Sequence, residues 1–234
     1  MKPAQPGDRR PGGYVVTTAT FIADWPALLL LLLSLAAGLF LYPRLPARVP
    51  SHWNLAGQVD GYASRPWGAV GIPLLSTGIY LLMLVVPLID PKRENYRRFM
   101  GAYRVLRLLL VVFLVALHAV VLAAALGSPV RTDLLVPAGV SLLFIVLGNL
   151  LGQVRHNYFV GIRTPWTLAS ETVWQQTHRV AAYAFVLAGL AGLVGLLFPA
   201  AVRAVFLFGG LAGAVGYSVV YSYLAFAREA AGRR

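Results

Sequence analysis

The chain has no cysteine and only eight acidic residues among 234. The missing cysteine excludes a disulfide framework, a thiolate zinc site and thiol nucleophiles. Charged residues make up 12% of the chain, about half the share of an ordinary soluble domain. No carboxylate falls in the middle of a long apolar run, which argues against an ion-coupled pathway through them. G-x-S-x-G, H-E-x-x-H and phosphate-loop patterns are all absent, as is a carboxylate pair, so the chain reads as a non-enzyme with no cofactor and no metal site.

What is present is oil. The chain is 59% hydrophobic, with a mean hydropathy of +0.72. A segment of about 20 apolar residues spans a bilayer core. Six runs qualify: residues 25–42, 68–89, 104–127, 134–154, 180–198 and 204–227. In lipid each must satisfy its own backbone, so the expected fold class is all-α, a polytopic membrane protein of six transmembrane helices. Pro73, Pro87 and Pro137 are expected to bend or end helices locally.

The net charge of +12 does not indicate nucleic acid, because the basic residues gather at the ends of apolar runs. With six spans, the side holding both termini carries 15 of the 20 Lys and Arg residues, and the other side carries Arg44, Arg48, Arg65, Arg131 and Arg203. The positive-inside rule therefore predicts that both termini are cytosolic. The expected organisation is a disordered cytosolic tail over 1–23, opening with "MKPAQPGDRRPGG". A three-helix half over 24–127 follows, with an outer loop at 43–67. A second half covers 128–227, with a cytosolic loop at 155–179, and a tail covers 228–234.

The outer loop offers His52, Trp53, Asn54 and Asp60 as a ligand-facing surface, with a turn expected at Asp60-Gly61. One His and one Asp are too few for a metal site. Trp53, Tyr62 and Trp67 also suit interfacial anchors. His118, mid-span, reads as a neutral imidazole bonded to a neighbouring helix. Rows of small residues, Ala184, Ala188 and Gly192, and Gly209 and Gly213, read as close packing within the chain.

The densest polar stretch is "GQVRHNYFVGIRTPWTLASETVWQQTHR". Asn149, Gln153 and His156 are spaced as one helix face, serving either as interhelical glue or as a vestibule lining. Ser170 is an N-cap with Glu171 in the first turn, so a helix should start near 171. Trp166 and Trp174 suit the headgroup level. The segment is expected to fold back on the bundle, with Arg163 and Glu171 as an ion pair.

Asn149, Gly152, Arg155, Asn157, Phe159, Gly161 to Leu168, Ser170, Glu171, Val173, Trp174, Thr177, His178 and Arg179 together closely resemble the signature of the SdpI family of bacterial membrane proteins. "LPARVPSHWNLAGQVDGY" resembles the small domain that often precedes it, and "DPKRENYRRF" is similar to family members. The resemblance implies a membrane immunity protein that resists a secreted toxic peptide. It also implies a receptor that holds a cytosolic transcriptional repressor at the membrane. The outer loop would then face the toxin, and Arg93, Arg97 and Arg98 would dock the repressor. A different reading is a small-solute or peptide transporter built from inverted three-helix halves, since each half has its long loop after its first span and both loops contain a His, then a Gly, then Arg-Pro-Trp (Arg65 to Trp67) or Arg-Thr-Pro-Trp (Arg163 to Trp166).

Overall fold

A computed structural model describes residues 13–232 of the chain. Six of its helices are long and apolar enough to cross a membrane: Trp25–Arg44, Arg65–Ile89, Met100–Ala125, Thr132–Leu151, Glu171–Gly195 and Ala200–Ala231. The elements are α1 (Thr18–Ala23), α2 (Trp25–Leu41), β1 (Arg48–Trp53), β2 (Val59–Ser64), α3 (Arg65–Ile89), α4 (Met100–Ala125), α5 (Thr132–Leu151), α6 (Pro165–Ala169), α7 (Glu171–Gly195), α8 (Ala200–Ala204) and α9 (Gly210–Ala231). A π turn over Val205–Gly209 joins α8 to α9 within the sixth span.

Helices α2, α3 and α4 pack on one another as one group, while α7 lies between α5 and α9 in the other. Contacts between the groups run chiefly from α4 to α5. The two loops that an inverted duplication would equate differ. The first is an antiparallel hairpin, β1 with β2; the second is mostly irregular, with the short α6 at its end. Both nevertheless hand over to a helix through proline, Pro66 in α3 and Pro165 in α6, where a missing N–H costs nothing.

The three internal prolines neither end nor interrupt their helices, and Pro87 comes closest, two residues before the end of α3. Each deprives the carbonyl four residues earlier of its helical donor, and each freed carbonyl meets another helix. Pro87 frees Met83, whose oxygen accepts from the Tyr103 hydroxyl at 2.7 Å. Pro137 frees Asp133, whose carbonyl accepts from the Arg203 guanidinium. Pro73 frees Ala69, whose carbonyl sits where a side chain on Gly38 of α2 would stand. Proline in a membrane helix exposes a polar backbone group that must be satisfied within protein. Here those groups become cross-helix attachment points.

Three expectations change. The tail read over 1–23 is ordered from Tyr14 onward. Tyr14 is buried with Met83, Tyr96, Phe99 and Trp174 in one apolar cluster, and α1 follows it; the stretch before residue 13 lies outside the described residues. The turn of the first loop is not at Asp60-Gly61, which lie in β2. It is at 54–58, where Asn54 Oδ1 accepts from the backbone N–H groups of Ala56 and Gln58, both at 3.0 Å, and Gly57 takes φ +78. A side-chain cap inside the loop outweighs the Asp-Gly signal. Finally, Gly209 and Gly213 are exposed. Close approaches between α5 and α7 are instead made at Gly148, Gly189 and Gly192, whose added Cβ atoms would strike α7 or Ser141 of α5.

Candidate functional site

Both described ends of the chain, the 90–98 turn and the 152–170 loop gather at one end of the helices. The residues there form a buried polar knot. Asp90 stops α3 and is 2% exposed. Its carboxylate accepts from Lys92 N at 2.7 Å, from the Tyr96 hydroxyl at 3.0 Å and from Tyr158 N at 2.9 Å. One acid therefore clamps the first half's turn to the second half's loop. Burial, and then the Asp90 charge, push the Tyr96 phenol well above its ordinary range, so it stays protonated and remains a donor. Asn157 is fully buried. Its Oδ1 accepts from Phe159 N and Val160 N, and its Nδ2 donates to Arg155 O and Val160 O, so one amide shapes residues 155–160.

Trp174 is 0% exposed and is therefore not the headgroup anchor that sequence suggests. Its indole N–H donates to Val154 O at 3.0 Å. Its ring lies between His178, stacked at 4.1 Å, and His156, tilted at 5.0 Å. His178 Nδ1 faces Trp174 O at 2.9 Å, and Nε2 accepts from Ile162 N at 3.0 Å. That pairing requires the neutral tautomer with its proton on Nδ1. Gly161, at φ +111, brings the loop backbone over the imidazole.

The segment 163–174 folds back on α9. Thr164 caps α6 reciprocally with Thr167, and its hydroxyl donates to Ser222 at 3.0 Å. Pro165 opens α6. Trp166 meets the Tyr223 ring edge-on at 5.2 Å. Ser170 caps α7 as expected, accepting from Val173 N, and also donates to Glu229 at 2.6 Å. The expected Arg163–Glu171 pair does not form. Arg163 is exposed and donates to Tyr158 O at 3.1 Å, while Glu171 is exposed at the N-terminus of α7, where the helix dipole suits it. The Asn149–Gln153–His156 stripe is also broken, because α5 ends at Leu151. Asn149 and Gln153 are exposed and donate to carbonyls one turn back, and only His156 turns inward. Arg155 is half-buried, while Arg179, Arg93, Arg97 and Arg98 are exposed at this end.

His156 carries a testable pH dependence. It sits 2.9 Å from the Lys92 ammonium. Burial, and secondly that charge, hold its pKa below the ordinary imidazole value. The unfolded chain takes up this proton near pH 6.5, and the folded chain does so only at lower pH. Between those values the unfolded state binds more protons, so stability is complete above about pH 6.5 and falls as pH drops below it. Thermal unfolding of the detergent-solubilised protein from pH 8 to 5 should show this fall, and His156→Gln should make it shallower. An unchanged slope in the variant would remove His156 as the cause.

At the opposite end the hairpin is plugged by Leu45 and Val49, which pack with Ala69, Val121 and Leu122. Trp53 packs partly against the same cluster, while Tyr62 and Trp67 remain exposed. His52 Nδ1 and Asp60 Oδ1 form an exposed pair at 2.5 Å, and among the described residues no third His, Asp or Glu completes a metal set. Beneath the hairpin, a cleft of about 340 Å³ opens between the two halves, with His52, Trp53 and Asn54 on one wall and Pro137, Arg203 and Phe208 on the other. Asp133 joins Arg203, at 3.2 Å, and Arg131, at 2.9 Å, at its edge.

Sequence reading missed one charged group. Arg107, counted with the loop arginines, is 1% exposed and lies 2.5 Å from Asp24. The Tyr80 hydroxyl also donates to Asp24, at 3.3 Å. The hint available was that Arg107 falls one turn inside an apolar run. His118 lies where expected, bonded to Ser34 of α2 at 2.8 Å.

Comparison with known proteins covers both ends. The model of a domain of unknown function, DUF1648, matches residues 29–77, which hold α2, the hairpin and the start of α3. That of the SdpI/YfhL protein family matches residues 153–222, which hold the knot, α7 and most of α9. The chain is 28% identical over 163 residues to the immunity protein SdpI of Bacillus subtilis (strain 168), spanning 70% of this chain and 76% of that one. No solved structure matches. With six apolar helices, a hairpin matched by the DUF1648 model and a buried 155–179 segment matched by the SdpI/YfhL model, the chain is a multi-pass cell-membrane protein similar to the SdpI family.

Proposed function

We propose that this protein is a membrane immunity protein that protects its cell from a secreted toxic peptide and holds a cytosolic repressor at the membrane. The observation that carries this reading is the similarity to the immunity protein SdpI over 76% of that protein's length. The structure divides the labour in a compatible way. The hairpin with His52, Trp53, Asn54 and Asp60, and the cleft beneath it, supply the peptide-facing surface. The turn carrying Arg93, Arg97 and Arg98 supplies a basic docking surface at the end where the termini lie, and the arginine bias puts that end in the cytosol. Asn157, Trp174 and His178 are buried and hold the loop that frames it. Non-catalytic protection fits a site built for recognition.

The test is survival. A sensitive bacterium expressing the chain should withstand a secreted peptide toxin of the SdpI-protected kind, and His52→Ala with Asn54→Ala should lower protection at unchanged membrane levels. Arg93→Gln with Arg98→Gln should impair repressor recruitment and leave protection intact. Because the chain lacks cysteine, Ser51→Cys should react with an impermeant thiol reagent in intact cells while Ala169→Cys does not. Unchanged survival on expression would overturn the immunity reading, and the reversed labelling pattern would overturn the orientation.

A further inference from the structure

The cleft beneath the hairpin is charged at its mouth and apolar at its floor. Asp133 and Arg203 stand at the mouth, with Arg131 beside them. Leu117, Val140 and Phe208 form the floor. Each lies eight residues from the outer end of its span, about 12 Å down at the helical rise. The volume of about 340 Å³ equals roughly ten waters, and apolar walls are a poor place to keep them. A large apolar side chain suits that floor. The mouth suits an anion. The outer end holds Arg44, Arg48, Arg65, Arg131 and Arg203 against two acids, Asp60 and Asp133. At the cleft itself, Arg131 and Arg203 share the single carboxylate of Asp133.

One wall is a strand edge. Ser51, His52 and Trp53 of β1 border the cleft in succession, while among the described residues none of β2 does. Side chains of a strand alternate between its faces, so three consecutive residues meet the cleft along the edge rather than under one face. Among the described residues the sheet has two strands, so β1 is paired on one side alone. The ladder also passes over Ser51, between Pro50 paired with Tyr62 and His52 paired with Gly61. An unpaired strand edge is a template for another extended chain. An acyl chain would fill the floor but has no amide group to offer this edge.

We infer that the cleft reads the C-terminal residue of an extended peptide. A large apolar side chain enters the floor, the free carboxylate lies beside Arg203 and Arg131, and the backbone leaves along the edge of β1. This inference rests on the peptide-facing reading above and names the part of the peptide that is recognised. Strand addition supplies affinity through backbone hydrogen bonds, and the pocket supplies the choice of residue. Thr132 Oγ1 donates to Gly57 O at 3.3 Å, which ties the hairpin turn to α5 and holds the edge over the cleft.

Fluorescence anisotropy of labelled hexapeptides titrated with the full chain in detergent, against empty micelles, tests the site. The reference peptide is Gly-Ser-Thr-Val-Ser-Phe with a free C-terminus. Its C-terminal amide and its variant ending in Ser should each bind about tenfold more weakly. A single backbone N-methyl moved along the peptide should weaken binding at alternate residues. Arg131→Gln, at an exposed position, should reduce the preference for acid over amide to about threefold and leave that for Phe over Ser. Val140→Trp fills the floor and should abolish the preference for Phe. If that variant melts lower than the wild type, the peptide series on the wild type still decides. Equal affinity for the acid, the amide and the Ser variant would overturn the inference, while survival on expression would still uphold the immunity reading. Displacement by dioleoylphosphatidylglycerol with no N-methyl pattern would also overturn it, marking an acyl-chain groove. Peptide preferences as expected without protection in cells would support the site and overturn the immunity reading alone.

Discussion

Asp24→Ala should be the most damaging single substitution in the first half, costing about 3–5 kcal/mol and most of the folded yield. The reason is not the attraction lost but the charge left behind. Arg107 is almost wholly enclosed, and its guanidinium lies above the Tyr80 and Tyr103 rings at 5.9 and 5.5 Å. Remove Asp24 and a guanidinium remains in a low-dielectric site with no counter-ion, the case in which breaking a buried pair is expensive. Tyr80 loses its acceptor as well. Replacing both members, Asp24→Leu with Arg107→Met, removes the charge together with its partner and should cost clearly less than Asp24→Ala alone. Melting temperature and monodisperse yield in detergent read both effects. If the double variant is as damaged as the single, or Asp24→Ala is silent, the pair does not hold α2 to α4.

Gly161→Ala should dismantle the knot at the termini end, by about 3 kcal/mol or more. Two costs combine. An L side chain at φ +111 is strained by about 1–3 kcal/mol. The added Cβ would also collide with His178 Nε2. Moving that imidazole takes the acceptor from the Ile162 N–H at about 1–3 kcal/mol for a buried orphaned donor, and disturbs the stack on Trp174. Gly127 is the control. It has φ +81 with open space around it, so Gly127→Ala carries strain and no collision. A large gap between the two variants in melting temperature isolates the His178 contact. Equal, small effects would show that the loop tolerates displacement and that His178 does not shape it.

These residues show where local reading stops. Ser170 and Glu171 announced the start of α7 because an N-cap satisfies donors within its own turn, and that information is local in sequence. Asp24 and Arg107 lie 83 positions apart, and no spacing rule links them. Arg107 was therefore counted with the loop charges, although the packing of α2 on α4 takes it out of water. Trp174 illustrates the same limit. A tryptophan near a span end suits the headgroup level on composition, but the irregular 152–164 loop covers it and offers the Val154 carbonyl to its indole. Arg163 and Glu171 were paired by opposite charge and nearness in sequence. The fold-back of α6 instead gave Ser170 to Glu229 and left both charges in solvent.

Sequence alone determined that this chain is a six-span membrane protein similar to the SdpI family, because a bilayer demands long apolar helices and because the 155–179 residues are distinctive as a string. The prolines were equally legible as positions, read as local bends or ends of helices; each instead stays inside its helix and frees a carbonyl. What that carbonyl would meet was not legible. Only the tertiary structure decided that Met83 O takes Tyr103, that Asp133 O takes Arg203, and that Asp90, Asn157 and His178 tie the two halves' loops into one knot. Hydrophobic matching to lipid sets where helices lie along the membrane normal. It leaves their rotation and neighbours undetermined, and those are set by the few buried polar groups that have to find partners in one another.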